Sequence, residues 1–235
     1  MATKPTNAEA EQLTAANLTV DNSITSQEVQ AEVIKKGYDL AALQTGKGKI
    51  TAAQLALNDQ SMKESAAENA TDREEECKAE AHQAYHDLAK TIRTKYHEGS
   101  PELIAVGLTG SEPRALGKFV EAGYKLFDNS ASTHAVAQYI LTKGYTPEFL
   151  QSERAKITAY EQANQAQEPA LSAAKDATKI KKKAFKDMND WLREYIENAK
   201  IVMREKPALL EAIGIKVSKH KSPTKKNKPQ NPPAK

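Results

Sequence analysis

His82 and His86 stand four residues apart, a spacing that places two imidazoles on one helix face within reach of a single metal ion. Such a site needs one or two further ligands, and the positions 107 residues further on, Asn189 and Arg193, supply no matching pair. The Glu-x-x-His pattern that builds di-iron centres in helical bundles is absent from the chain. Both histidines therefore read as solvent-exposed, and no metal ligand, cofactor or catalytic residue is assigned. The single cysteine, Cys77, follows the acidic run Asp72-Arg73-Glu74-Glu75-Glu76. Acidic neighbours raise a thiol pKa, so a reactive nucleophile is not expected there. "TGKGKIT", Thr45–Thr51, resembles a phosphate loop only superficially. The motif G-x-x-x-x-G-K-[ST] needs Gly where Leu43 stands and Ser or Thr where Ile50 stands. Trp191 lies among Met188, Leu192 and Tyr195 and reads as core.

Charge offers more than nucleophiles do. Asp72, Glu74, Glu75 and Glu76 form an acidic block, and Lys179, Lys181, Lys182 and Lys183 form a basic one 107 residues later. Opposite blocks of this kind can pair between molecules, and heterologous pairing leads to rings or filaments. Solvated helix faces are the plainer reading, because isolated surface charges are worth little. A third charged segment is the C-terminal stretch 216–235, with seven lysines and no acid. Outside it stand 27 bases against 31 acids, a net of −4, so a mildly acidic body carries a basic tail. Lys219, Lys221, Lys225, Lys226 and Lys228 suit non-specific attraction to nucleic-acid phosphates. No aromatic residue interleaves them for base stacking, and no apolar residues accompany them for membrane insertion.

The elements that would position these groups are helical. Aromatics are 6% of the 235 residues and charged residues 28%, while strand-type alternation is absent over any useful length. The chain also repeats itself. "KGYDLAALQTGKGKITA" (Lys36–Ala52) and "KGYTPEFLQSERAKITA" (Lys143–Ala159) share nine of 17 positions at a spacing of 107. "DNS" at Asp21–Ser23 recurs at Asp128–Ser130. "PELIAVGL" (Pro101–Leu108) resembles "PALLEAIGI" (Pro207–Ile215) with one residue inserted. Two copies, 6–108 and 113–215, should therefore pack as one bundle, followed by a disordered basic tail, 216–235.

Within the second copy, Leu116–Phe127 has helical spacing and should break at Asp128 and Asn129. "STHAVAQYILTKG" reads as a helix capped by Ser or Thr and ended by Gly144. Thr146 and Pro147 start a third helix. Its seven-residue register runs through Leu150, Ile157, Asn164, Leu171, Thr178, Phe185, Leu192 and Ala199, and passes Pro169. That proline implies either a kinked helix or a hairpin near "QEP". Copy one keeps the register at Leu43, Ile50, Leu57, Thr71, Tyr85 and Ile92. A helix of about 58 residues would be roughly 87 Å long, and residues 98–145 are too short and too helical to lead back over that distance. The long helices should run antiparallel.

The repeated "GY", the "LFDNS" segment and the "PALLEAIGI" ending resemble an uncharacterised group of bacterial all-helical proteins. The resemblance implies a helical fold and no activity. The expected fold is all-α: a tandem pseudo-repeat, elongated antiparallel bundle of long helices with short capping helices. The expected function is non-enzymatic, as a structural, scaffold or assembly module binding a protein partner or itself. The alternative is an accessory nucleic-acid-binding protein that uses the tail. A lone cysteine and the lack of an apolar N-terminal segment suggest a cytoplasmic protein without a small-molecule substrate or membrane insertion.

Overall fold

The computed structural model describes residues 7–216, and every regular element among them is a helix. In chain order these are α1 (Asn7–Thr25), α2 (Gln27–Val33), a 3₁₀ turn (Ile34–Lys36), α3 (Leu40–Arg93), α4 (Pro101–Ala105), α5 (Leu116–Ser132), α6 (His134–Leu141), α7 (Pro147–Val202) and α8 (Pro207–Ala212). The two long helices, α3 and α7, have 54 and 56 residues. The lysines assigned to the tail, Lys219, Lys221, Lys225, Lys226 and Lys228, lie outside the described residues.

Local chemistry sets the boundaries. Asp39 Oδ1 accepts the Ala42 N–H at 2.8 Å and opens α3. Thr146 Oγ1 accepts the Phe149 N–H at 3.2 Å and opens α7, with Pro147 as its first residue. Gly37 and Gly144 precede these starts with φ of +82° and +90°, a conformation that strains any other residue. α6 departs from expectation, because Thr133 makes no side-chain cap. α5 also continues beyond the expected break, to Ser132. Asp128 and Asn129 direct their side chains to Arg154 and to the Ala105 carbonyl, so they do not compete for their own backbone.

α7 runs without interruption through Pro169, which removes the hairpin alternative. The proline leaves the Gln165 carbonyl without its helical donor, and both residues are exposed, where water can replace it. The seven-residue register is buried at Leu150, Ile157, Phe185, Leu192 and Ala199 but not at Leu171, which is 38% exposed. In the middle of the helix Ala177 is buried, while the register positions Leu171 and Thr178 are not.

Contacts divide the chain into two units. The first comprises residues 57–181. Here the later part of α3 lies antiparallel to the early part of α7: Thr71 accepts from Gln167 Nε2 at 3.3 Å, and the rings of His82 and Tyr160 lie 6.2 Å apart. α4, α5 and α6 complete a core around Leu88, Ile92, Phe119, Leu126, Phe127, Val136 and Ile157. Among the described residues, the second unit comprises 7–56 together with 182–216. Here too the long helices run antiparallel, with Gly46 against Trp191 and Tyr38 against Tyr195. Val29, Val33, Leu43, Tyr195, Met203 and Ile213 form its core.

Each unit draws on both stretches expected as copies. Positions 107 apart are alike in burial: Val29 and Val136, Leu43 and Leu150, Ile50 and Ile157, and Leu103 and Leu210 are all buried. The match continues to the ends without an inserted residue. Gly107 and Gly214, again 107 apart, end α4 and α8 with φ of +83° and +79°.

Candidate functional site

The charge blocks are partly spent on packing. Asp72, Glu75 and Glu76 are exposed, but Glu74 is half-buried and accepts from the Tyr160 hydroxyl. Arg73 pairs with Glu76 at 3.4 Å. Lys179, Lys182 and Lys183 are exposed and Lys181 is half-buried; Lys179 pairs with Asp176 at 2.9 Å. Outward-facing acid thus remains at Asp72 and Glu75, and outward-facing base at Lys182 and Lys183.

His82 and His86 are not simply solvated. Glu112, in the connection between α4 and α5, reaches both. Its Oε1 meets His82 Nδ1, and its Oε2 lies 2.8 Å from His86 Nε2. An ionised carboxylate only accepts, so each imidazole must carry its proton on the nitrogen that faces Glu112. His82 also stacks on Phe119 of α5 at 4.1 Å between ring centroids. Arg93 Nη2 donates to the Gly110 carbonyl at 3.0 Å. The connection is therefore fastened to α3 at two points. Among the described residues, no group of three or more His, Cys, Asp or Glu is arranged to hold a metal ion.

Cys77 is 1% exposed and packs in the first core. Gly46, from the loop-like "TGKGKIT", lies inside α3 and makes room for Trp191: a β-carbon there would sit 2.1 Å from the indole Cη2. Trp191 stacks on Tyr195 at 5.3 Å.

The repeated "DNS" triplets carry contacts that the sequence pattern alone does not assign. Asp21 pairs with Lys47 at 2.7 Å, and Asp128 pairs with Arg154 through two hydrogen bonds, at 2.6 and 3.1 Å. Asn22 Nδ2 donates to the Ala212 carbonyl at 2.7 Å, and Asn129 Nδ2 donates to the Ala105 carbonyl at 2.6 Å. Every member of these pairs of contacts has its counterpart 107 residues away. Ser23 Oγ accepts from Tyr195 Oη at 2.5 Å and donates to the Thr19 carbonyl at 2.6 Å. Ser130 departs from the pattern. It is fully buried and its hydroxyl has no partner: Leu88 stands at the position corresponding to Tyr195, and the counterpart of the Ser23 bond to a carbonyl four residues back is missing as well. The 107-residue offset itself was the signal that could have exposed this difference.

Electrostatics follow these contacts. Lys206 and Lys35 both bond Glu32 at 2.7 Å and hold its carboxyl below the usual range. Burial pushes Tyr195 and Tyr85 above the ordinary phenol value. A groove on the first unit runs between α5 and α7, lined by Phe127, Ala131, Leu150, Ala155 and Ala159 and crossed by the Asp128–Arg154 pair. No helix among the described residues is long and apolar enough to cross a membrane. Comparisons with protein-family models, curated proteins and solved structures found no match.

Proposed function

We propose that this protein is a non-enzymatic, cytoplasmic helical scaffold that acts by binding a protein partner or its own kind. The observation that supports this reading is the use made of its reactive side chains. His82 and His86 secure a connection through Glu112, Cys77 is sealed in a core, and the tyrosines pack. Among the residues left facing outward are charges, acidic at Asp72 and Glu75 and basic at Lys182 and Lys183.

Charge-driven association predicts a mass that rises with concentration at low salt and falls as salt screens the pairs. Light scattering over a concentration and salt grid tests it. Reversing Glu75 and Asp72 to lysine should abolish the growth while leaving helicity unchanged, since exposed substitutions usually cost within about 0.5 kcal/mol. A mass that stays fixed across the grid refutes self-association through these charges.

A second reading rests on the seven lysines and no acid in 216–235. It predicts sequence-tolerant binding of DNA or RNA that weakens steeply with salt. Absence of binding at low salt removes it.

A further inference from the structure

The chain divides at the connection 109–115 into an N-terminal half, 7–108, and a C-terminal half, 116–216. Neither half alone supplies a complete unit. In the first unit, α5, α6 and early α7 pack with late α3 and α4. In the second, α1, α2 and early α3 pack with late α7 and α8. The side-chain bonds between halves are reciprocal: Asn129 to Ala105 and Gln167 to Thr71 in one unit, Asn22 to Ala212 and Tyr195 to Ser23 in the other. The Lys206–Glu32 and Gln12–Asn189 contacts, both 2.7 Å, also join the halves.

None of these contacts requires that both halves belong to one molecule. Only the seven residues 109–115 impose that. They lie mainly at the surface and are held by the Glu112 contacts to His82 and His86 and by the Arg93 bond to Gly110. Pro113 further biases Glu112 toward an extended backbone. Fully extended, seven residues reach about 25 Å.

We propose that the partner this architecture fits is a second copy of the chain, taken up by exchange of halves. The N-terminal half of each molecule packs with the C-terminal half of the other and rebuilds both units with the contacts described above. The connection 109–115 is the hinge, and the His82–Glu112–His86 clamp is the contact that favours the closed monomer. Exchange leaves the internal contacts unchanged, so the balance is set by the hinge contacts and by concentration, a low-cost route to a dimer. This inference does not depend on the surface charges of the proposed function. Exchange uses internal contacts and should persist at salt concentrations that abolish charge-driven association.

The test uses the full chain with a protease site inserted after Ser111. The protein is refolded from denaturant when dilute and when concentrated, in high salt, and the species are separated by size. Dilute refolding should give monomer, and concentrated refolding should add a dimer of equal helicity. Cutting the inserted site should then convert that dimer into particles of monomer mass, each holding one N-terminal and one C-terminal half. A dimer that keeps its mass after complete cutting is an ordinary one and overturns the proposal, as does monomer alone at every concentration. Glu112→Ala, read in the same way, should raise the dimer share several-fold at a fixed concentration. An unchanged share overturns the role given to the clamp.

Discussion

Replacing Ser130 with Ala should stabilise the protein, although the change removes a buried side-chain atom. The Ser130 hydroxyl is fully buried and unpartnered. A buried polar group without a partner costs about 1–3 kcal/mol. Ser130 also lies within α5, where Ala is the better helix former by about 0.5 kcal/mol. The small void left by the oxygen offsets part of the gain, so about 1–2 kcal/mol remains. For a chain of this size that is a rise in Tm of about 3–6 °C. Ser23→Ala is the control at the corresponding place. It removes two hydrogen bonds and strands the Tyr195 hydroxyl, so it should destabilise by about 1–3 kcal/mol. Urea unfolding followed by circular dichroism measures both, with the slopes compared to confirm that each transition remains of one kind. The opposite signs carry the reasoning. If Ser130→Ala lost 1 kcal/mol or more, the absent Tyr195 counterpart at Leu88 would not be the difference that matters.

Gly46→Ala should destabilise by about 1–3 kcal/mol, since the new methyl would overlap the Trp191 ring and force it aside. Trp191 is the only tryptophan, so its emission should shift in the same variant, and an unchanged spectrum with unchanged stability would contradict the close approach. Alkaline pH should unfold the protein. Burial raises the pKa of Tyr38, Tyr85, Tyr124, Tyr145, Tyr160 and Tyr195 above the unfolded value of 10.0. A raised acid pKa means that the folded chain holds the proton more tightly. Its stabilising contribution is complete below pH 10 and is lost as pH rises through the folded value. Absorbance of phenolate at 295 nm should therefore rise together with the loss of helicity, and full ionisation of the tyrosines in a still helical protein would count against their burial.

The helices and several of their ends were legible because local chemistry decides them. Asp39, Thr146, Pro147, Gly37 and Gly144 act on backbone groups within a few residues, and the structure uses each as its type suggests. The break expected at Asp128 and Asn129 failed for the complementary reason. Their side chains have partners 26 and 24 residues away, which no local rule can see. The register lapses at Leu171 and resumes at Phe185, Leu192 and Ala199, so counting in sevens read the two ends of α7 but not its middle. Glu112 was invisible as a partner for His82 and His86, since it lies 30 residues beyond His82 in an irregular connection. The charge blocks were legible as charges, but not the burial that ties Glu74 to Tyr160.

The division of labour within "DNS" connects these levels. Aspartate in each triplet binds a base in its own half, Lys47 or Arg154, and so orders the short helices on the start of the long one. Asparagine in each triplet binds a carbonyl of the other half, Ala212 or Ala105, at the end of a short helix. Serine bonds the other half's long helix only where Tyr195 is present to meet it. Two of three positions thus keep their contacts across the 107-residue offset, whereas at the third Ser23 has two hydrogen bonds and Ser130 none. A hydroxyl without a donor to meet it has no packing reason of its own in the first unit. A stability requirement acting on each unit independently would favour alanine at 130.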